Sequence, residues 1–200
     1  MKVRLENVRL AFPELFQMKA VNPGDQPAYS ATFLLPPNHP GVAAVRKAMQ
    51  AAAKEAWGTK AKEIYAELVK KDRVCLRDGA EKAQKYDGFE GMLYVSARGK
   101  VRPTVVDQAK SPLTEQDGKL YAGCYVNGVV DIYAQDNQYG KRLNAQLGGV
   151  QFVRDGDAFG GGRPASVDDF DDVSDVGDAE NDPFGDDGDD WDQASGSDLT

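Results

Sequence analysis

Hydrophobic and polar positions alternate through most of the chain as far as Arg154. In Val3–Phe12 the apolar residues fall at Val3 and Leu5, then at Val8, Leu10 and Phe12. A period of two predicts a strand, and the parity change near Glu6–Asn7 predicts a bulge or sharp bend inside it. Asn22-Pro-Gly-Asp25 reads as a turn. Tyr29–Leu35 alternates again, with Tyr29, Ala31, Phe33 and Leu35 on one face, and Pro36-Pro37 ends it. The period then changes to three and four at Val42, Val45, Met49, Ala52 and Ala56, the stripe of an amphipathic helix. Pro40 sits near its start, Gly58 closes it, and Thr59 is placed to cap a second helix through Ile64, Leu68 and Val69. Short strands are expected at Arg73–Leu76 and Gly91–Arg98, around a polar loop over Arg77–Gly88. Lys100–Val106 is extended, with Pro103 limiting its pairing, and Ser111–Gly118 is a loop. Tyr121–Ala134 reads as a long strand that turns at Asn137–Gly140 into Lys141–Val153.

This order has no βαβα alternation and no internal repeat. It predicts a mainly β domain, a small twisted barrel with a helical insertion at about 41–71.

The long strand carries the first candidate chemistry. Its even positions from Ala122 to Ala134 are small or apolar and face the core. Its odd positions include Tyr121, Tyr125 and Tyr133. Residues two apart on a strand lie about 6.6–7 Å from each other, close to the spacing of bases on an extended single strand. Base–aromatic stacking contributes roughly 1–3 kcal/mol per base and tolerates any sequence. Tyrosine also packs well under loops and at subunit contacts, so packing competes with stacking at each ring. Asp131 shares the face with Tyr133, which favours Tyr121 and Tyr125 as the stacking pair.

Basic residues flank this face. Arg98, Lys100 and Arg102 form an i, i+2, i+4 row on one side of an extended segment, paired with Tyr94 on the preceding strand. Lys141 and Arg142 follow the turn beside Tyr139, and Lys82, Lys85 and Tyr86 occupy the polar loop. Lys47, Lys54, Lys60 and Lys62 read as the solvated side of the helices. Cationic side chains that neutralise phosphates make binding salt-dependent.

Charge then divides the chain. All 24 Lys and Arg lie in residues 1–165, against 18 Asp and Glu. The segment 166–200 holds fourteen acids and no Lys or Arg, so the net −8 is +6 in the body and −14 in the tail. The tail has too few bulky apolar residues to bury a core, and its composition predicts disorder. A basic body with an acidic arm suits a protein whose body binds a polyanion and whose tail imitates one.

Other classes recede. No run of 18 apolar residues predicts a membrane span, and the charged N-terminus has no secretory h-region. Cys75 and Cys124 read as reduced thiols in a reducing cytoplasm. With His39, which reads as a loop residue, they cannot build a four-ligand Cys/His zinc site. There is no GxxxxGK[ST], GxSxG or HExxH, so no enzyme, metal or cofactor is expected.

The stretches Val8–Phe16, Asn22–Pro36, Leu76–Lys82, Tyr121–Asn137 and Gly148–Gly162 resemble a phage single-stranded-DNA-binding protein family, and the likeness covers most of residues 2–165. The YxGCY segment and the VQxVRDG ending are its most specific parts. The resemblance implies an OB-like five-stranded barrel in residues 1–165 and sequence-tolerant binding to single strands in phage DNA replication or recombination. It supplies no catalytic residue. Acidic tails of such binders commonly end in Phe, whereas this chain ends in Leu199-Thr200. Its tail aromatics, Phe170, Phe184 and Trp191, are internal and beside aspartates, and are the candidate contacts to replication or recombination proteins. A homodimer through the tyrosine face or a strand edge fits the same sequence. Two alternatives compete: an interaction module whose acidic tail mimics DNA, and a metal-dependent nuclease using scattered carboxylates.

Overall fold

The computed structural model describes residues 1–20 and 23–160. The acidic segment 166–200, with Phe170, Phe184 and Trp191, lies outside the described residues. Seven strands form one sheet: β1 (Lys2–Lys19), β2 (Ala28–Leu35), β3 (Leu76–Asp78), β4 (Leu93–Gly99), β5 (Thr104–Val106), β6 (Tyr125–Asn137) and β7 (Gly140–Arg154). Antiparallel neighbours run β4-β2-β1-β6-β7. A parallel contact between β4 and β7, at Ala97 opposite Ala145, closes these five into a barrel. The order is that of an OB barrel, with β3 and β5 added at the edges.

Alternation explains the barrel. Val126, Gly128, Val130 and Ile132 of β6 face inward and are buried, while Asp131 and Tyr133 face out. Phe33, Leu5, Val95, Leu143 and Leu147 fill the interior from the other strands. Gly128 lies where a Cβ would stand 2.6 Å from the Phe33 ring, so this fully buried ring needs a strand position without a side chain. The expected change of parity in β1 is a bulge: Leu5 pairs with Gly128 and Val8 with Val126, so β1 carries one extra residue. Asn7 takes φ +51° there, and its N–H donates to Asn127 Oδ1 at 2.9 Å.

The helical insertion joins β2 to β3. Helix α1 (Pro40–Trp57) starts with Pro in its first turn and buries Val42, Val45, Met49 and Ala52 against the barrel, with Ala56 left exposed. Each fully buried Val or Met contributes roughly 1.5–3 kcal/mol. His39 is the N-cap rather than a plain loop residue. Its Nδ1 accepts the Gly41 N–H at 3.0 Å, so Nε2 carries the proton and donates to Glu6 O at 3.0 Å. One ring thus ties the helix start to the β1 bulge.

Several sequence expectations are corrected. Thr59 does not cap the second helix. A 3₁₀ turn at Gly58–Lys60 precedes α2 (Ala61–Lys70), whose N-cap Lys60 makes no side-chain bond. Val69 is exposed, and α2 buries Ala61 and Leu68 instead. β3 lies later than Arg73–Leu76, and a short helix α3 (Ala80–Ala83) interrupts the polar loop. The long strand starts at Tyr125, not Tyr121. Gly123, at φ +112°, turns the chain, and a Cβ there would meet Asp157 O at 2.1 Å. Tyr121 therefore does not share a strand face with Tyr125.

Candidate nucleic-acid interface

The β1–β2 connection, the end of β4 and the β6–β7 hairpin enclose a groove of about 760 Å³. Arg77, Arg98, Lys100 and Arg142 line it, with Asp25 as the acid among its lining residues. Tyr133, 42% exposed, is its aromatic ring, and Val101 is an exposed apolar edge. Each is placed by local structure. Tyr133 is an outward position of β6, opposite Asn144 of β7. Arg98 is an outward position of β4, opposite Ser30. A two-residue turn at Gln138–Tyr139 joins β6 to β7 and brings Arg142 back alongside Gln135.

Gln26 organises two of the cations. Its backbone oxygen accepts from Arg98 Nη2 at 3.3 Å, and its side-chain oxygen accepts from Lys100 Nζ at 2.8 Å. These contacts are exposed, so phosphate oxygens can replace them. In the OB fold, the face of the second and third barrel strands and the loops joining strands 1–2 and 4–5 are the usual ligand surface. Those elements are here β2, β4, the β1–β2 connection and the β6–β7 hairpin, and the groove is lined by residues 25–27, the first residue of β2, the end of β4 and the hairpin.

The predicted residues distribute unevenly over this map. Arg98, Lys100 and Arg142 line the groove. Arg102 does not follow them, because β4 ends at Gly99 and the chain turns before β5. Lys141 pairs with Asp136 at 2.7 Å, and Tyr139 stands 71% exposed at the hairpin tip. Tyr94 is buried outside the barrel with Ala11, Leu34 and Phe89, so its ring is a floor and not a surface. Tyr121 lies under the 155–157 segment, its hydroxyl within 2.9 Å of Asp155 Oδ1 and Gly156 O, and burial leads the effects that raise its pKa. Tyr125 carries the Arg154 guanidinium 3.4 Å over its ring and Arg9 at 5.4 Å.

Lys82, Lys85 and Tyr86 form a separate cluster on the outer face. The Lys82 ammonium stands 5.1–5.9 Å from the rings of Phe12, Tyr86, Phe89 and Tyr94. Desolvation, then the charge of Arg77, lowers its pKa.

Sequence reasoning missed Arg77, Gln26 and Phe12, and set Tyr133 behind the other tyrosines because of Asp131. The N-terminal amine pairs with Asp131, which removes that objection. The parity of β6 already put Tyr133 outside. Nothing in one sequence could bring Gln26 to Arg98, 72 positions apart.

Burial pushes the thiols of Cys75 and Cys124 up to about 11. No group of three or more His, Cys, Asp or Glu among the described residues is arranged to hold a metal. No helix among them is long and apolar enough to cross a membrane.

Comparison with known proteins agrees with the barrel fold. The protein is 48% identical over 175 residues to putative protein p50 of Acyrthosiphon pisum secondary endosymbiont phage 1, covering 86% of this chain and 94% of that protein. The single-stranded DNA-binding protein of bacteriophage Enc34, solved in complex with single-stranded DNA, superposes with a TM-score of 0.66 at 26% identity, over 78% of this chain and 88% of that one. The single-stranded DNA-binding protein gp2.5 of bacteriophage T7 shares the fold, with a TM-score of 0.51 at 16% identity over 84% and 93% of the two chains. The family model described as Enterobacter phage Enc34, ssDNA-binding protein, matches residues 1–182. This chain belongs to the Enc34 single-stranded-DNA-binding protein family.

Proposed function

We propose that this protein coats single-stranded DNA without reading its sequence, in phage DNA replication or recombination. The observation that carries the reading is the groove: four cationic side chains around one exposed tyrosine, on the OB surface that ordinarily takes oligonucleotides. Membership of the Enc34 family and the fold shared with a protein solved on single-stranded DNA support it.

Arg98, Lys100 and Arg142 meet phosphates, with Arg77 deeper in the groove. Tyr133 stacks on a base, and Tyr139 and Lys141 extend the surface along the hairpin. The groove recognises a backbone and one or more ring faces, chemistry shared by every base, so little sequence preference follows. No step of this function makes or breaks a covalent bond.

Residues 1–165 form the binding domain and 166–200 a regulatory arm. Without DNA, the fourteen acids of the arm compete for the +6 body. A 35-residue coil spans roughly 30–35 Å r.m.s., enough to reach across its own domain. DNA displaces it, and Phe170, Phe184 and Trp191 then become available to replication or recombination proteins.

The test is a titration with oligo-dT followed by intrinsic fluorescence. Saturable binding that weakens as salt rises is expected, with residues 1–165 binding more tightly than the full chain at low salt. Absence of binding by residues 1–165 at low salt would overturn the proposal, and would favour the alternative in which the tail alone acts, as a DNA mimic.

A further inference from the structure

A second pocket, of about 140 Å³, opens on the outer face between Phe12, Tyr86, Phe89, Phe159, Lys85 and Ala11. An apolar cavity of roughly 150 Å³ accommodates a benzene-sized ring. Two of its walls are exposed rings: Phe12 is 37% and Tyr86 47% exposed, and they meet edge-to-face at 4.9 Å. Phe12 also holds φ +48°, at the place where the β1–β2 register breaks between Ala11 and Glu14. A bulky residue in the left-handed region is strained, and such strain concentrates at functional positions. Here the strain accompanies a ring left exposed at the pocket instead of one buried in the sheet.

Charge at the pocket suits an anionic strand. Lys85 is part of the wall, and Lys82 sits among the rings behind it. The Asp87 carboxylate in the wall accepts the Gly160 N–H at 3.0 Å. Pocket and groove share no lining residue, but β4 runs between them, with Tyr94 and Arg98 at positions of the same parity. Arg77 lines the groove and is the register partner of Tyr94, whose ring lies 5.2 Å from Lys82. Arg77 and Tyr94 thus stand between the groove and the ring cluster around Lys82.

We propose that the pocket between Phe12, Tyr86 and Phe159 receives one unpaired base, so that a bound single strand runs from the β6–β7 hairpin across β4 to a second stacking subsite. The proposal rests on the groove being the primary DNA site. Lys82 and Lys85 carry the phosphates flanking the inserted base, and Arg77 bridges the two subsites.

The experiment uses the full-length chain and oligo-dT carrying photoreactive thymine analogues at each position in turn. Cross-links mapped by mass spectrometry are expected on peptides containing Phe12 or Tyr86, several nucleotides away from cross-links to Tyr133. In titrations, Tyr86→Ala is expected to weaken binding about 5- to 150-fold and shorten the occluded length, with the salt slope unchanged. Tyr86→Phe should restore both. If Arg98→Ala weakens binding while Tyr86→Ala leaves affinity and occluded length intact, the groove stands and the pocket assignment falls. Should Arg98→Ala also be inert, the groove reading itself fails. Cross-links confined to β4 and the hairpin, or protection of Tyr86 by a peptide of residues 166–200 and never by DNA, would also overturn the subsite.

Discussion

At the residue scale, three tyrosines that read alike in sequence have different surroundings. Tyr125 lies under Arg154, Tyr121 is hydrogen-bonded to the 155–157 segment, and Tyr133 is open to the groove. Tyr133→Ala is expected to weaken oligo-dT binding by about 1–3 kcal/mol with little change in melting temperature. Tyr125→Ala should lower the melting temperature more than it lowers affinity. Isothermal titration and thermal unfolding of both variants check this, and the reverse ranking would return the stacking role to Tyr125. Gly128→Ala forces a Cβ against the buried Phe33 ring, with an expected cost of about 1–3 kcal/mol in denaturant unfolding. The two buried thiols make stability depend on pH. Ordinary thiols ionise near 9, whereas Cys75 and Cys124 do so near 11 in the fold. Between those values the unfolded chain has lost protons that the folded chain keeps. Stability is therefore full below pH 9 and falls as pH rises towards 11. Urea midpoints over that range should decline, and Cys75→Ala with Cys124→Ala should flatten the decline.

At the element scale, the barrel was legible because a period of two runs through long stretches of its strands, and α1 because its stripe holds at three and four. The β1 bulge was legible from a parity change between Leu5 and Val8. Local glycine chemistry hid the start of β6: Gly123 continues the alternation on paper but turns the chain in space. The same limit applied to Arg102, which keeps the i, i+2, i+4 spacing although Gly99 ends the strand. The α1 cap was missed because His is not among the usual N-cap residues, and its second bond reaches 33 positions back to Glu6. His39→Ala removes both bonds at once. It should lower stability by about 0.5–2 kcal/mol in chemical unfolding and leave the oligo-dT isotherm unchanged, since the ring is not among the groove-lining residues. Three of the four groove cations, Arg98, Lys100 and Arg142, were legible as residue type. The groove itself was not, because it is assembled from three connections far apart in the chain.

At the scale of the whole molecule, the average acidity conceals a basic body. Four of its cations, Arg77, Arg98, Lys100 and Arg142, gather at one groove from β3, β4, the residue after β4, and β7. Neutralising cations that meet phosphates reduces the salt dependence of binding, by about 0.7 in log–log slope for each single-strand phosphate contact. The central claim is that this groove is where the strand lies, and the salt slope measures it most directly. Oligo-dT affinity is to be measured from low to moderate salt for the wild type and for a variant carrying Arg98→Ala, Lys100→Ala and Arg142→Ala. The account predicts weaker binding by the variant and a slope lower by about 2. An unchanged slope in a folded variant would contradict it and move the DNA to another surface.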